Sequence, residues 1–148
     1  MAEGVEIRLL SSDDFDLVLS AEGLFDHQPI PQQTAAFLAS DRDFIWFAME
    51  ALVPIGFVSA SVILHPDKLP HLFVNERATR EDRRRRGVAR MLLQTVVDFG
   101  KSNSIWPLGL AAEGDDEPAK AVYRSPDGFG ERDAVVFEWE QLPQSHFV

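Results

Sequence analysis

The densest group of residues that could do chemistry in this sequence is an arginine-rich turn at residues 83–91, RRRRGVARM. Residues 76–90 hold seven of the fourteen basic side chains and three acids, a net charge of +4 in a chain of net charge −10. A small positive island on an acidic chain favours binding of a compact anion such as phosphate. Nucleic acid normally needs a broader basic face, and the neighbouring Glu81 and Asp82 oppose a polyanion.

The same turn precedes a predicted helix, and a helix start can bind an anion. The first amides of a helix have no partner within it and their dipoles point outward together, so they can bind phosphate oxygens. Gly87 allows close approach of the backbone, and arginine side chains donate paired hydrogen bonds to phosphate. Taken alone, these residues also fit a solvated basic turn before a surface helix, and that interpretation stays open.

The elements around the turn must hold it in place, and their pattern predicts an α+β fold. A strand is predicted at 71–78 and an amphipathic helix at 87–99, with Gly100 as its stop. Apolar spacing and turn residues predict further strands at 5–10, 43–50, 55–64, 108–112 and 134–140, and helices at 13–24, 31–40 and from 114 to 123. A slip in the apolar phase near Phe57 and Val58 indicates a bulge. The order predicts a mixed sheet with helices packed on it, in a single domain over residues 1–148.

Composition narrows the kinds of site that the chain can hold. It has no cysteine, which excludes disulfides, thiolate nucleophiles and thiolate metal ligands. No metal is expected, because none of the four histidines has the spacing of a metal ligand; they are His27, His65, His71 and His146. No apolar run approaches the roughly 20 residues that span a bilayer, and residues 1–10 do not resemble a signal peptide. A cytoplasmic protein is therefore expected.

The pattern Arg84-x-x-Gly87-x-Ala89 lies between a predicted strand and a predicted helix. It resembles the Gln/Arg-x-x-Gly-x-Gly/Ala signature of the GNAT superfamily of N-acetyltransferases. The resemblance implies a GNAT-like mixed, mostly antiparallel sheet with helices on both faces, and acetyl-CoA as the cosubstrate. It also implies that the turn holds the coenzyme pyrophosphate, through Arg84, Arg85, Arg86, Gly87, Val88, Ala89 and Arg90.

A second stretch narrows the resemblance. GDDEPAKAVY at residues 114–123 is similar to the Gly-Asp-Asp-Pro-Ala-x-Ala-Leu-Tyr run of the aminoglycoside 3-N-acetyltransferases, with Glu117 as an extra residue. Residues 74–89 align with the same group without a gap. The chain departs from that group at Asn75, where the group has a tyrosine, and at Arg77, where it has an apolar residue. With these departures, the resemblance still predicts coenzyme binding but does not identify the substrate.

Acetyl transfer to an amine requires a group that takes a proton from the amine, and it benefits from one that protonates the leaving thiolate. By resemblance the base is Glu76, which stands where the aminoglycoside enzymes carry an aspartate on the fourth strand. By resemblance the acid is Tyr123, the single tyrosine of the chain. Each has a plainer interpretation: Glu76 as a surface acid paired with Arg77 or another arginine, and Tyr123 as a half-buried aromatic residue on the sheet.

Two further pairs of residues complete the predicted site. By resemblance, the backbone groups of Ala78 and Thr79 would bind the pantetheine arm, and an amide there would polarise the thioester carbonyl. Asp115 and Asp116 could attract a cationic amine. Acids before Pro118 also suit helix capping, and their residue types favour that role.

The sequence thus predicts an N-acetyltransferase that moves an acetyl group from acetyl-CoA to a primary amine. The expected acceptor is a small cationic substrate such as an aminoglycoside or a polyamine. A protein N-acetyltransferase and a non-catalytic acyl-CoA-binding module stay open as alternatives. The expected partner is a small-molecule amine, with no nucleic acid and no membrane. Exposed strand edges would permit a homodimer.

Overall fold

The computed structural model describes residues 3–21 and 23–139. Along the chain its elements are β1 Val5–Leu9, α1 Phe15–Ser20, α2 Pro31–Ala39, β2 Asp43–Glu50, β3 Val53–Ile63, β4 His71–Thr79, α3 Val88–Ser102, β5 Leu108–Gly109 and α4 Glu117–Tyr123. Short 3-10 turns at Ser12–Asp14 and Glu81–Arg83 precede α1 and α3.

The strands form one sheet in the order β1-β2-β3-β4-β5. Strands β1 to β4 are antiparallel to their neighbours, whereas β5 runs parallel to β4. The β4–β5 pairing joins Leu72 to Leu108 and Phe73 to Gly109. Within the described residues, β4 therefore has no strand on that side from residue 74 onward, and its edge is open there.

Helices cover both faces of the sheet, because each face carries apolar side chains that must be buried. The core on the α3 side of the sheet includes Val58, Leu72, Val88, Leu92 and Val96. The core on the α1–α2 side includes Val18, Leu24, Ile45, Phe47 and Phe57. The predicted α+β fold, with a mixed, mostly antiparallel sheet and helices on both faces, is confirmed.

Helix α3 forms where the apolar periodicity predicts it, but it does not stop at Gly100. It continues to Ser102, and Asn103 follows as the C-cap. A Cβ at Gly100 would lie 3.0 Å from the carbonyl oxygen of Ile105 and 3.3 Å from a methyl group of Leu72. The glycine is therefore required by close packing inside the helix and does not mark its end.

The strand predicted at 134–140 does not form in the part of it that the structure describes. Residues 134–139 have no regular secondary structure, and residue 140 lies outside the described residues. Val135, Phe137 and Trp139 are 78%, 77% and 85% exposed. A segment rich in β-branched and aromatic residues forms a strand only where another strand edge pairs with it, so the residue types alone were insufficient.

Several other boundaries differ from those that the sequence predicts, because element ends depend on contacts with distant residues. The helix predicted at 13–24 ends at Ser20, and the strand predicted at 108–112 covers only two residues. The bulge predicted near Phe57 lies at Ile55 instead, since Ala48 pairs with Gly56 and Met49 with Pro54. In the described ranges, no helix is long and apolar enough to cross a membrane.

Candidate active site

Strand β4 carries a β-bulge at Asn75. Ala60 of β3 pairs with Val74, whereas Ser59 pairs with Glu76, so Asn75 is the extra residue on β4. A bulge changes the alternation of side chains between the two faces of the sheet. As a result, Glu76 faces the same side of the sheet as Ser59.

A chain of polar side chains holds this bulge. The Asn75 amide donates to the Ser61 hydroxyl over 2.7 Å, and Ser61 donates to one carboxylate oxygen of Asp43 over 2.6 Å. Ser40 donates to the other oxygen of Asp43 over 2.7 Å. These hydrogen-bonded side chains connect β4 through β3 to β2, which fixes the direction in which Glu76 points.

Glu76 lines a cavity of about 470 Å³ that lies between the α1–α2 region and the sheet. Aromatic rings form part of its wall, and the rings of Phe25 and Phe57 lie 4.6 Å apart between centroids. Asp26 and His27, from the loop before α2, also line it. A cavity of this size, with apolar walls and a few polar groups, is typical of a small-molecule site.

Two carboxylates line the cavity, Glu76 from the sheet and Asp26 from the loop. Neither forms an ion pair with any residue that the structure describes. Carboxylates beside an apolar wall suit a ligand that carries an amino group on a carbon skeleton. The sequence did not single out Asp26, because it lies in a loop without a motif.

Arg77 faces the opposite side of the sheet from Glu76, where it contacts Tyr123. The carbon of its guanidinium lies 5.5 Å from the centroid of the Tyr123 ring, within the range of cation–π attraction. The Arg77 Nε atom is buried and has no hydrogen-bond partner among the described residues. Glu76 is therefore not paired with Arg77. Tyr123, the last residue of α4, is half-buried, and its role as an acid stays a prediction.

The backbone of β4 offers hydrogen bonds along its open edge. The Arg80 amide donates to the Ile55 carbonyl of β3 over 2.8 Å. Backbone directions alternate along a strand, so the groups of Ala78 also point to β3, while those of Arg77 and Thr79 point to the open edge. The geometry agrees with the backbone role predicted for Thr79. The backbone groups of Ala78 point to β3 and so do not fit the role predicted for them. The backbone groups of Arg77 face the open edge instead.

The turn before α3 has a left-handed backbone at two positions. Gly87, the N-cap of the helix, has φ of 81°, and Arg85 has φ of 65°. A residue other than glycine in this conformation costs about 1–2 kcal/mol, and such strain is found where the surrounding structure imposes it. Among the described residues, no side chain caps the helix and the amides of residues 88–90 have no partner. These amides are available to an anion.

Glu50, at the end of β2, anchors the turn to the sheet. Arg83 Nε lies 3.0 Å from one oxygen of Glu50, and Arg86 Nη1 lies 3.8 Å from the other. The hydrogen bond and the charge of Glu50 raise the pKa of the Arg83 guanidinium above its ordinary value. Arg84 Nε donates to the Thr79 carbonyl over 3.1 Å, which joins the turn to β4.

The remaining arginines of the turn are Arg85 and Arg90. Both are exposed, and neither forms an ion pair within the part of the chain that the structure describes. They are therefore the side chains most available to a phosphate. The sequence did not reveal the anchor at Glu50, because Arg83 and Glu50 are separated by 33 positions.

The two acids at the start of α4 differ in role. The Asp116 carboxylate accepts a hydrogen bond from the Ala119 amide over 3.1 Å and so caps the helix, as its residue type favours. Asp115 is exposed in the preceding turn. Neither lines the cavity that Glu76 faces. Across residues 3–21 and 23–139, no three His, Asp or Glu side chains form a group that could hold a metal ion.

An open strand edge, a helix start whose first amides have no partner among the described residues, and a cavity beside them form the framework of the candidate site. The chain matches the model of the acetyltransferase (GNAT) family over residues 7–129, and it belongs to that family. It is thus an acetyl-CoA-dependent N-acetyltransferase. No curated protein sequence matches the chain.

Solved structures share the fold. An aminoglycoside acetyltransferase from an uncultured soil metagenomic sample, in complex with sisomicin, has a TM-score of 0.86 at 16% identity, over 94% of this chain and 97% of that one. The aminoglycoside antibiotic 6'-N-acetyltransferase of Acinetobacter baumannii has a TM-score of 0.72 at 19% identity, over 95% and 100%. A ribosomal-protein-alanine N-acetyltransferase from Brucella melitensis has a TM-score of 0.69 at 20% identity, over 92% and 99%. Likeness at these identities establishes the fold.

Proposed function

We propose that strand β4 presents the two substrates to each other, with a primary amine in the cavity and the acetyl thioester along the open edge. The observation that supports this is the placement of consecutive residues on β4. Glu76 faces the cavity, whereas the backbone groups of Arg77 and Thr79 face the open edge. A carboxylate and two backbone amides that face the open edge thus lie within three residues of each other on one strand.

The turn before α3 would hold the pyrophosphate of the coenzyme. The unpaired amides of residues 88–90 suit phosphate oxygens, and Gly87 lets the backbone approach them. Arg85 and Arg90 would add charge from exposed positions. Arg84 and Arg86 would also add positive charge, and their contacts with Thr79 and Glu50 attach the turn to the sheet.

The reaction moves one acetyl group from sulfur to nitrogen and removes two protons from the protonated amine. The acceptor, whose ammonium form has a pKa of about 10, first loses a proton to solvent. Its nitrogen then attacks the thioester carbonyl carbon, and the remaining excess proton passes from nitrogen to the Glu76 carboxylate as the C–N bond forms. A backbone amide at the open edge stabilises the developing oxyanion. The C–S bond breaks, and Tyr123 donates a proton to the thiolate and regains one from solvent. Glu76 releases the proton that it took to solvent, which restores the carboxylate.

The proposed acceptor is a small cationic amine, with aminoglycosides and polyamines as the leading candidates. Glu76 and Asp26 provide two carboxylates in the cavity, and a net charge of −10 attracts cations to the domain. The resemblance of residues 114–123 to the aminoglycoside 3-N-acetyltransferases favours the 3-amino group of an aminoglycoside. The solved relatives include 6'-N-acetyltransferases, so the position of the acetylated nitrogen has to be read from the product.

The experiment is a panel of acceptors incubated with acetyl-CoA. Sisomicin, spermidine and a peptide with an N-terminal alanine are tested, and thiol release is followed together with the mass of each acceptor. Acetylated sisomicin or spermidine would support the proposal, and NMR of the sisomicin product would identify the modified nitrogen. Acetylation of the peptide alone would favour a protein N-acetyltransferase. Binding of acetyl-CoA without turnover of any acceptor would favour a non-catalytic module.

A homodimer is proposed as well, formed through residues 134–139. This segment has the β-branched and aromatic residues typical of a strand, and its large apolar side chains are exposed in the single chain. Strand β5 lies at the edge of the sheet and could receive it from a second copy. Light scattering tests this: the chain should have the mass of a dimer, and Phe137→Lys should convert it to a monomer.

A further inference from the structure

Ser59 is a buried hydroxyl opposite the proposed base. It lies on β3 in direct register with Glu76 on β4, and both residues line the cavity. Directly paired residues of antiparallel strands place their side chains on the same face, about 4.5–5.5 Å apart between Cβ atoms. Ser59 is only 5% exposed.

The Ser59 hydroxyl has no hydrogen-bond partner among the residues that the structure describes, and neither has the Glu76 carboxylate. The contrast with Ser61 is informative, because Ser61 lies two residues further along the same face. Ser61 accepts from Asn75 and donates to Asp43. A buried hydroxyl that lacks such partners, beside a carboxylate in a cavity, is suited to hydrogen bonding with a ligand.

We propose that the Ser59 hydroxyl accepts a hydrogen bond from the acceptor amine and holds its nitrogen opposite Glu76. This inference rests on the proposed function of the cavity. A neutral primary amine has two N–H groups and one lone pair. With one N–H on Ser59 and the other on Glu76, the lone pair is left for the thioester carbonyl. Ser59 thereby selects the orientation in which the nitrogen can attack.

The test compares Ser59→Ala with Ser59→Thr, which keeps a hydroxyl, and with Ser102→Ala, the same substitution at the exposed end of α3. Ser59→Ala should lower kcat/KM for the amine about tenfold, the effect of losing one hydrogen bond. The KM for acetyl-CoA should not change. Ser59→Thr should recover most of the loss, and Ser102→Ala should match the wild type. A role confined to folding would instead lower the thermal midpoint and affect both substrates.

Calorimetry separates this inference from the proposed function. Sisomicin, spermidine and phenethylamine are titrated into the CoA-bound protein, wild type and Ser59→Ala. An amine that binds more weakly to Ser59→Ala but is never acetylated would support the Ser59 contact and overturn the proposed function. An amine that is acetylated and bound equally well by both proteins would overturn the Ser59 contact alone. If the wild type binds none of the three amines, the Ser59 contact is overturned as well.

Discussion

Glu76 and Arg77 are adjacent in the chain, yet their side chains lie on opposite faces of the sheet. Glu76 faces the cavity on the α1–α2 side, whereas the Arg77 guanidinium lies over the Tyr123 ring on the side of α3 and α4. The bulge at Asn75 sets which of the two faces the cavity. The proposed acceptor side and the proposed thiol side of the reaction can therefore be perturbed separately on one strand.

Replacement of Glu76 by glutamine should abolish most of the turnover. General-base catalysis contributes about 10²–10⁴-fold, so kcat/KM for the amine should fall by that order. Calorimetry should show unchanged binding of acetyl-CoA, because Glu76 faces away from the open edge. Glu6→Gln, the same change at an exposed position of β1, is the control and should leave the rate unchanged. Wild-type rates for Glu76→Gln at every pH would show that another group is the base.

Replacement of Gly87 by alanine should weaken coenzyme binding. Its φ of 81° is a conformation that costs about 1–2 kcal/mol for a residue with a Cβ. The added methyl group would also lie beside the amides that are proposed to hold the pyrophosphate. Gly128→Ala is a matched control, since Gly128 has φ of 83° outside the turn. Both variants should lose similar stability, whereas the Kd for acetyl-CoA should rise only in Gly87→Ala.

Replacement of Arg77 by methionine should reduce turnover without preventing amine binding. Methionine retains the apolar stem but removes the charge that contacts the Tyr123 ring, a contact of about 0.5–1 kcal/mol at such a site. We expect kcat to fall severalfold while the KM for the amine stays the same. Lys101→Met removes a similar contact, 5.4 Å from the Trp106 ring, and serves as the control. An equal loss of kcat in both variants would assign the effect to general stability.

The ion pair between Arg124 and Glu131 predicts a pH-dependent contribution to stability just beyond α4. Arg124 Nε lies 2.7 Å from a Glu131 oxygen, and the hydrogen bond and charge of Arg124 lower the pKa of the Glu131 carboxyl below its ordinary value. A carboxyl whose pKa is lowered by folding stabilises the folded state at pH values above its pKa in the unfolded chain, which is about 4.3. This stabilisation is lost as the pH falls through the pKa of the carboxyl in the folded state. The wild type should thus be more stable than Glu131→Gln near neutral pH. The difference in urea midpoint should vanish in strong acid; a constant difference at all pH values would exclude this linkage.

The sequence alone determined the features that depend on neighbouring residues. The bounds predicted for β2, 43–50, are those of the structure, and α3 begins next to Gly87 with the predicted apolar face buried. Local apolar period and the dihedral freedom of glycine decide such features within a few residues. The charge island at residues 76–90 likewise depends on the sequence alone, and it predicts an anion site.

Tertiary structure alone decided the features that depend on pairing between distant strands. The register of β3 against β4 placed Ser59 opposite Glu76 and directed the backbone groups of Arg77, instead of those of Ala78, away from β3. The short β5 left the edge of β4 open beyond Phe73. One extra residue in a strand reverses which face every later side chain occupies, and local pattern does not indicate where it falls. The same limit applies to residues 134–139, whose strand pattern requires a partner edge that the sequence does not specify.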